Sequence, residues 1–189
     1  MSGLDREKWD DRYRRGDYLG DAPSPFLRSL AARLPRQGRA LDLAGGAGRN
    51  AIWLAEHGLT VMVVDISAVG LELARTRAAA RGLEVATVCR DLERDEPPAG
   101  PWDVIVSICY LNRALVPRLD RLLAPGGLLV YLQPTARNLE RHARPPAGFL
   151  LEEGELGPLL PPSLEVVTLT EGWTEDGYHE ARALARKPA

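Results

Sequence analysis

The sequence predicts an α/β fold, a Rossmann-like doubly wound sheet that is mostly parallel, ends in an antiparallel hairpin and is preceded by a helical cap. Three observations lead there. Short apolar runs alternate with amphipathic stretches through most of the 189 residues, the signature of parallel strands covered by helices. The first of those runs ends in glycines that open a helix. The last two β-rich runs are joined by a short polar turn with no helix between them.

The sheet begins late. Residues 7–13 read as helical, and Ser24-Pro25 reads as an N-cap followed by proline at the first helical position. A helix over 25–34 would place Phe26, Leu27, Leu30, Ala31 and Leu34 on one face. The first strand is expected at 39–44, followed by the glycine turn and a helix over 49–57 that stops at Gly58. A second strand over 60–64 ends in Asp65, and Ser67 is placed to cap a long helix that runs to Arg81 and closes at Gly82. Strand three spans 84–89, with Asp91 just past its end, and strand four spans 103–109. After a helix around 115–123, the turn Pro125-Gly126-Gly127 launches a fifth strand over 128–133. Residues 134–149 are rich in Pro and Arg, and a short helix near 153–160 follows. The hairpin then pairs 163–170 with 178–186 about a turn at 174–177.

Composition narrows the function classes. Hydrophobic residues at 45% and charged residues at 26% describe a globular chain of one domain, and no apolar run is long enough to cross a bilayer. Asp5, Glu7 and Asp10 stand where a secretory signal would be apolar, so a cytoplasmic location is expected. A formal net charge of −2 gives no basic footprint for nucleic acid, which leaves a small molecule as the expected partner and a monomer or weak homodimer as the expected state. Cys89 and Cys109 end apolar runs and read as small core residues. His57, His142 and His179 are widely separated, and no metal site is expected.

The chemistry centres on the segment from Ala40 through Asp42, Ala44, Gly45, Gly46 and Gly48 to Asn50. A strand ending in glycines lets a ligand approach the backbone and presents free N–H groups at a helix N-terminus, where a nucleotide-like ligand is the natural guest. Gly46-x-Gly48-x-x-Ala51 also fits a dinucleotide fingerprint, so a nicotinamide-dependent oxidoreductase competes. Three acids discriminate by ligand shape. Asp42 before the glycines suits a ligand ammonium and would repel a pyrophosphate. Asp65 suits the two hydroxyls of a ribose. Asp91 can accept from an adenine amine while Leu92 packs on the ring. All three end successive strands on the edge where open α/β sheets bind ligands.

Together with Asp103-Val104-Ile105 and Leu123-x-Pro125-Gly126-Gly127, this order of residues resembles the class I S-adenosylmethionine-dependent methyltransferases over nearly the whole chain. Within that superfamily, Gly48-Arg49-Asn50-Ala51, Trp9, Tyr13, the run 145–151 and Glu155-Leu156 resemble the small tellurite-resistance (TehB-like) group. The resemblance implies S-adenosylmethionine as cofactor, S-adenosylhomocysteine as product, and methyl transfer to a small acceptor. A non-catalytic S-adenosylmethionine-binding protein would keep the same motifs. The cofactor contacts it implies are Trp9, Tyr13, Asp42, Ala44, Gly45, Gly46, Gly48, Asn50, Asp65, Ile66, Asp91, Leu92 and Ser107. On the acceptor side the candidates are Tyr110, Asn112, Arg113 and His142, of which Tyr110 and His142 are candidate bases. The chain is then organised as a lid (1–36), a cofactor-binding core (37–133), a variable acceptor-side segment (134–162) and the hairpin (163–189). One departure stands out: Ala44 occupies the family's first glycine, and Gly45 is expected to supply the freedom that alanine withholds.

Overall fold

The computed structural model describes residues 3–18 and 20–189. Helices α1 (Gly3–Arg14) and α2 (Pro25–Ser29) precede the sheet. Then follow β1 (Arg39–Leu43), α3 (Arg49–Glu56), β2 (Thr60–Asp65), α4 (Ala68–Ala79), β3 (Val85–Cys89), β4 (Trp102–Ile108) and β5 (Leu123–Pro134). After two short 3₁₀ turns come α5 (Leu156–Leu159), β6 (Glu165–Trp173) and β7 (His179–Arg186). The seven strands lie in the order β3-β2-β1-β4-β5-β7-β6. β1 through β5 are parallel to their neighbours, and β7 runs antiparallel to both β5 and β6. The chain winds outward from β1 to β3 and returns to the other side at β4, so the carboxyl ends of β1 and β4 flank the switch point where such sheets open a crevice.

Both faces of the central strands are buried, which is why they read as continuous apolar runs. Val104, Val106, Val130 and Leu132 face Ile52, Leu54 and Leu71 from α3 and α4, together with Leu27 and Leu34. On the other face Leu41, Leu43, Ile105, Leu129 and Tyr131 pack against Leu115, Leu119, Leu151 and Leu156. That second layer is made largely of 3₁₀ turns and loop. Among the described residues no helix is long and apolar enough to cross a membrane.

Four expected elements differ. The helix over 25–34 is α only to Ser29, after which Ala31 and Arg33 donate to Arg28 and Leu30 in i→i+3 turns. Pro35 disfavours α backbone at Leu34, and the tighter turns still bury Leu27, Leu30 and Leu34. Residues Val116–Leu122 form a 3₁₀ rather than an α-helix. Strand β5 pairs from Leu123 against Trp102, skips to Leu128 against Val104, and so carries Pro125-Gly126-Gly127 as a bulge instead of starting after it. The helix near 153–160 contracts to α5 because Glu152 to Glu155 form a turn. Cys89 and Cys109 are both exposed, not core. They stand at the carboxyl ends of β3 and β4, where the layers part over the crevice.

Candidate active site

Ala44 carries φ +53, a left-handed backbone that costs a residue with a Cβ about 1–2 kcal/mol. The expectation for Gly45 is therefore corrected. Gly45 keeps ordinary φ, and its task is room: a Cβ there would lie 2.6 Å from Asp42 Oδ2 and 2.8 Å from Val63. The alanine itself absorbs the bend. Gly46 and Gly48 are also left-handed, and Gly48 is the N-cap of α3.

Beneath this turn lies an unsatisfied charge. Asp42 is 1% exposed, and its Oδ2 meets no hydrogen-bond donor. Burial pushes the carboxyl up to about 7, against the pull of Arg49, and Asp65 adds to the rise. A buried acid next to a glycine cradle is a receptor for a cationic group. Asp65 is buried as well, and burial moves it up to about 6. Its two oxygens accept from Gly46 N and Ser67 N, each at 2.8 Å, which fixes the carboxylate at the end of β2 with lone pairs left for a diol.

Helix α1 lies over the same turn. The Asp10 carboxylate accepts from Ser67 Oγ at 2.5 Å, docking α1 on the N-terminus of α4. Tyr13 is thereby laid across the glycines: its hydroxyl occupies the space a Cβ on Gly46 would need, and its ring covers Gly70. Trp9 stacks on Tyr13 at 6.1 Å between ring centroids. Asn50 holds the lid segment, accepting from Ser24 N at 2.9 Å through Oδ1. Asp91 is buried at the end of β3, where Oδ1 accepts from Glu93 N at 3.0 Å. Leu92 is buried beside it, and Ile66 accepts from the Cys89 thiol at 3.4 Å through its carbonyl. Ser107, 1% exposed, lies in register with Leu43 and closes the crevice from β4.

The acceptor-side candidates behave differently. Asn112 is spent on structure: Oδ1 accepts from Ala114 N and Leu115 N, and Nδ2 donates to Leu92 O at 3.1 Å. Arg113 clamps Glu155, with Nη2 to Oε2 at 2.8 Å, and also reaches Leu150 O. Tyr110 donates to Glu93 at 2.9 Å, and burial holds its hydroxyl well above the usual phenol range, so it stays protonated. His142 Nε2 is 2.9 Å from Gly177 O, and its ring stacks on Tyr178. Those contacts occupy the Tyr110 hydroxyl proton and one ring nitrogen of His142. Sequence reasoning missed Cys109, which leaves β4 in a left-handed conformation (φ +61) and turns into a cleft that water enters but protein surrounds. Its thiol is pushed up to about 11 by that surrounding protein, opposed by the charge of Arg49. Its place after an apolar strand pointed to burial. No sequence signal announced the φ. A shallow groove at the opposite edge of the sheet, lined by Arg33, Asp103 and Gly126, touches none of these residues.

A family model described as a methyltransferase domain matches residues 40–127, the stretch that runs from β1 into β5 and holds the three acids. Over that stretch the chain is similar to methyltransferase domains. The chain is 38% identical over 102 residues to a demethylmenaquinone methyltransferase of Thermus thermophilus, covering 50% of this chain and 46% of that protein. The chain spans about half the length, or less, of the curated relatives it matches. The fold of nearly the whole chain is shared with solved structures. TehB from Haemophilus influenzae matches with a TM-score of 0.74 at 22% identity, over 95% of this chain and 67% of that one. The N-methyltransferase NodS from Bradyrhizobium japonicum, in complex with S-adenosylhomocysteine, matches at 0.68 and 21%, over 96% and 99%.

Proposed function

We propose that this protein binds S-adenosylmethionine and transfers its methyl group to a small-molecule acceptor. The observation that carries the reading is Asp42, a buried carboxylate whose Oδ2 has no donor, set against the glycine turn under Tyr13. A cation delivered to that turn satisfies it, and a pyrophosphate would be repelled, which is why the nicotinamide reading is not favoured. In this reading Asp42 takes the ammonium of the amino-acid part, the N-terminus of α3 takes the carboxylate, and Asp65, fixed by the N–H of Gly46, holds the ribose hydroxyls. Asp91, Leu92 and Ile66 bound the adenine, and Trp9 and Tyr13 form the lid.

The cofactor, when bound, supplies an electrophilic methyl carbon on a sulfonium. The chain's part is to hold the acceptor atom in line with that carbon and to keep water out, which by itself accounts for a large share of such a rate. With the Tyr110 hydroxyl donating to Glu93 and His142 bound to the hairpin at Gly177, the reading favours an acceptor atom that arrives ionised or releases its proton to water. Soft anions and acidic hydroxyls fit that requirement.

Calorimetric titration with S-adenosylhomocysteine and with NADH, on the parent and on Asp65→Ala, tests the reading. The expected result is binding of the first ligand alone, weakened about 100-fold in the variant, or about 2.7 kcal/mol. Binding of NADH without S-adenosylhomocysteine would overturn it.

A further inference from the structure

At the hairpin end of the sheet, residues 136–150 loop out between Pro134 and Leu151 and are closed by a bridge of Thr135 to Leu151. This loop is pinned to the hairpin. Asn138 Oδ1 accepts from His179 N at 3.1 Å, Thr135 Oγ1 meets His179 Nδ1 at 2.7 Å, and His142 holds Gly177 O. On that fixed base the Arg141 guanidinium lies 3.7 Å over the ring centroid of Trp173.

Arg141 is the unusual member of the group. Its side chain is exposed, and among the described residues no carboxylate or carbonyl takes its guanidinium N–H groups. The neighbouring acid Glu140 feels the charge of Arg141 but is hydrogen-bonded by Arg137 at 2.9 Å. Stacking fixes the plane of a guanidinium while leaving its edge of donors open, which is the arrangement that grips a carboxylate with two parallel bonds. Beside it, Tyr178 stacks on His142 at 4.6 Å with its ring 46% exposed, a ready face for a flat partner. Arg144, from the same loop, is also exposed.

The place of this group in the fold gives it a use. Pro134, at the carboxyl end of β5, pairs with Glu180, so the hairpin turn overhangs the edge that carries Asp42, Asp65 and Cys109. Trp173, at the end of β6, pairs with His179 at that same edge. We infer that Arg141, stacked on Trp173 and flanked by Tyr178, anchors the far end of the acceptor, and that the acceptor is an aromatic carboxylate. The acceptor role rests on the methyl-transfer reading above. The anion site itself does not.

Calorimetry with 4-hydroxycinnamate, whose carboxylate and hydroxyl lie at opposite ends, tests the inference on protein loaded with S-adenosylhomocysteine. The acid binds, and its neutral amide binds at least tenfold more weakly. Arg141→Gln lowers the affinity for the acid about tenfold and leaves S-adenosylhomocysteine affinity and the thermal midpoint unchanged. Arg141→Lys, which keeps the charge but loses the planar fork, restores only part of it. Equal binding of acid and amide, an unaffected Gln variant, or no binding of the acid at millimolar concentration would each overturn the site. If the acid binds and S-adenosylhomocysteine does not, the anion site stands and the methyl-transfer reading falls.

Discussion

The two halves of the crevice are built on opposite plans. Around β1 and β2 the protein leaves a polar atom unanswered and backbone bent: Asp42 Oδ2 is buried without a donor, and Ala44 sits left-handed. Beyond β4 the polar side chains answer one another, as in Asn112 on Leu92, Arg113 on Glu155 and Tyr110 on Glu93. A buried charge or a strained residue persists only where something offsets it, and at a binding site that something is the ligand. The strained half is therefore the proposed receptor, and the more fully satisfied half shapes the wall beside it. Buried Gln133 Oε1, left-handed Cys109 and the stacked guanidinium of Arg141 depart from that plan on the acceptor side.

Asp42→Asn is the sharpest way to break this comparison. A carboxyl raised from 3.8 to about 7 is protonated more easily folded than unfolded, so it favours the fold below pH 4 and opposes it increasingly up to pH 7. The asparagine variant without ligand is expected to be more stable than the parent at pH 8 by about 1–3 kcal/mol, read from urea denaturation, and equal to it near pH 4. A cationic ligand reverses the advantage. Parent affinity for S-adenosylhomocysteine should fall by up to about tenfold per pH unit below 7, and the variant should bind weakly with no such slope. A variant no more stable than the parent would mean that Asp42 is already satisfied.

Strain gives the next effect. Ala44→Gly removes the left-handed penalty at the cost of chain entropy, for a net gain of about 1 kcal/mol and a rise in Tm of about 2–4 °C. A drop in Tm would show that the alanine methyl packs better than its φ suggests. The smallest effect is expected on the satisfied side. Tyr110→Phe deletes the bond to Glu93 and should change kcat less than about threefold with the pH profile intact, whereas loss of a limb from that profile would make Tyr110 a base after all.

The strands, the cap at Ser67, the hairpin and the glycine turn were legible because each depends on neighbours in the chain. Ser67 does accept from Gly70 N at 3.0 Å, and β6 and β7 pair about the expected turn. The short helices were less legible, since Val116–Leu122 and the stretch after α2 adopt 3₁₀ geometry under packing that no local pattern encodes. Cys109 was misread for the same reason. An apolar strand implies burial, but the residue that ends it turns into the crevice.

By itself the sequence determined the layered α/β fold and the placing of Asp42, Asp65 and Asp91 along one edge of the sheet, because hydrophobic period and glycine placement are local properties that constrain the chain before it folds. Only the tertiary structure decided which polar groups are spent on one another and which are left free. Glu93 meets Tyr110 from 17 residues away, Glu155 meets Arg113 from 42, and Arg141 reaches Trp173 on the hairpin. Hydrogen bonds and ion pairs act over a few ångströms in space, and separation along the chain says little about that distance.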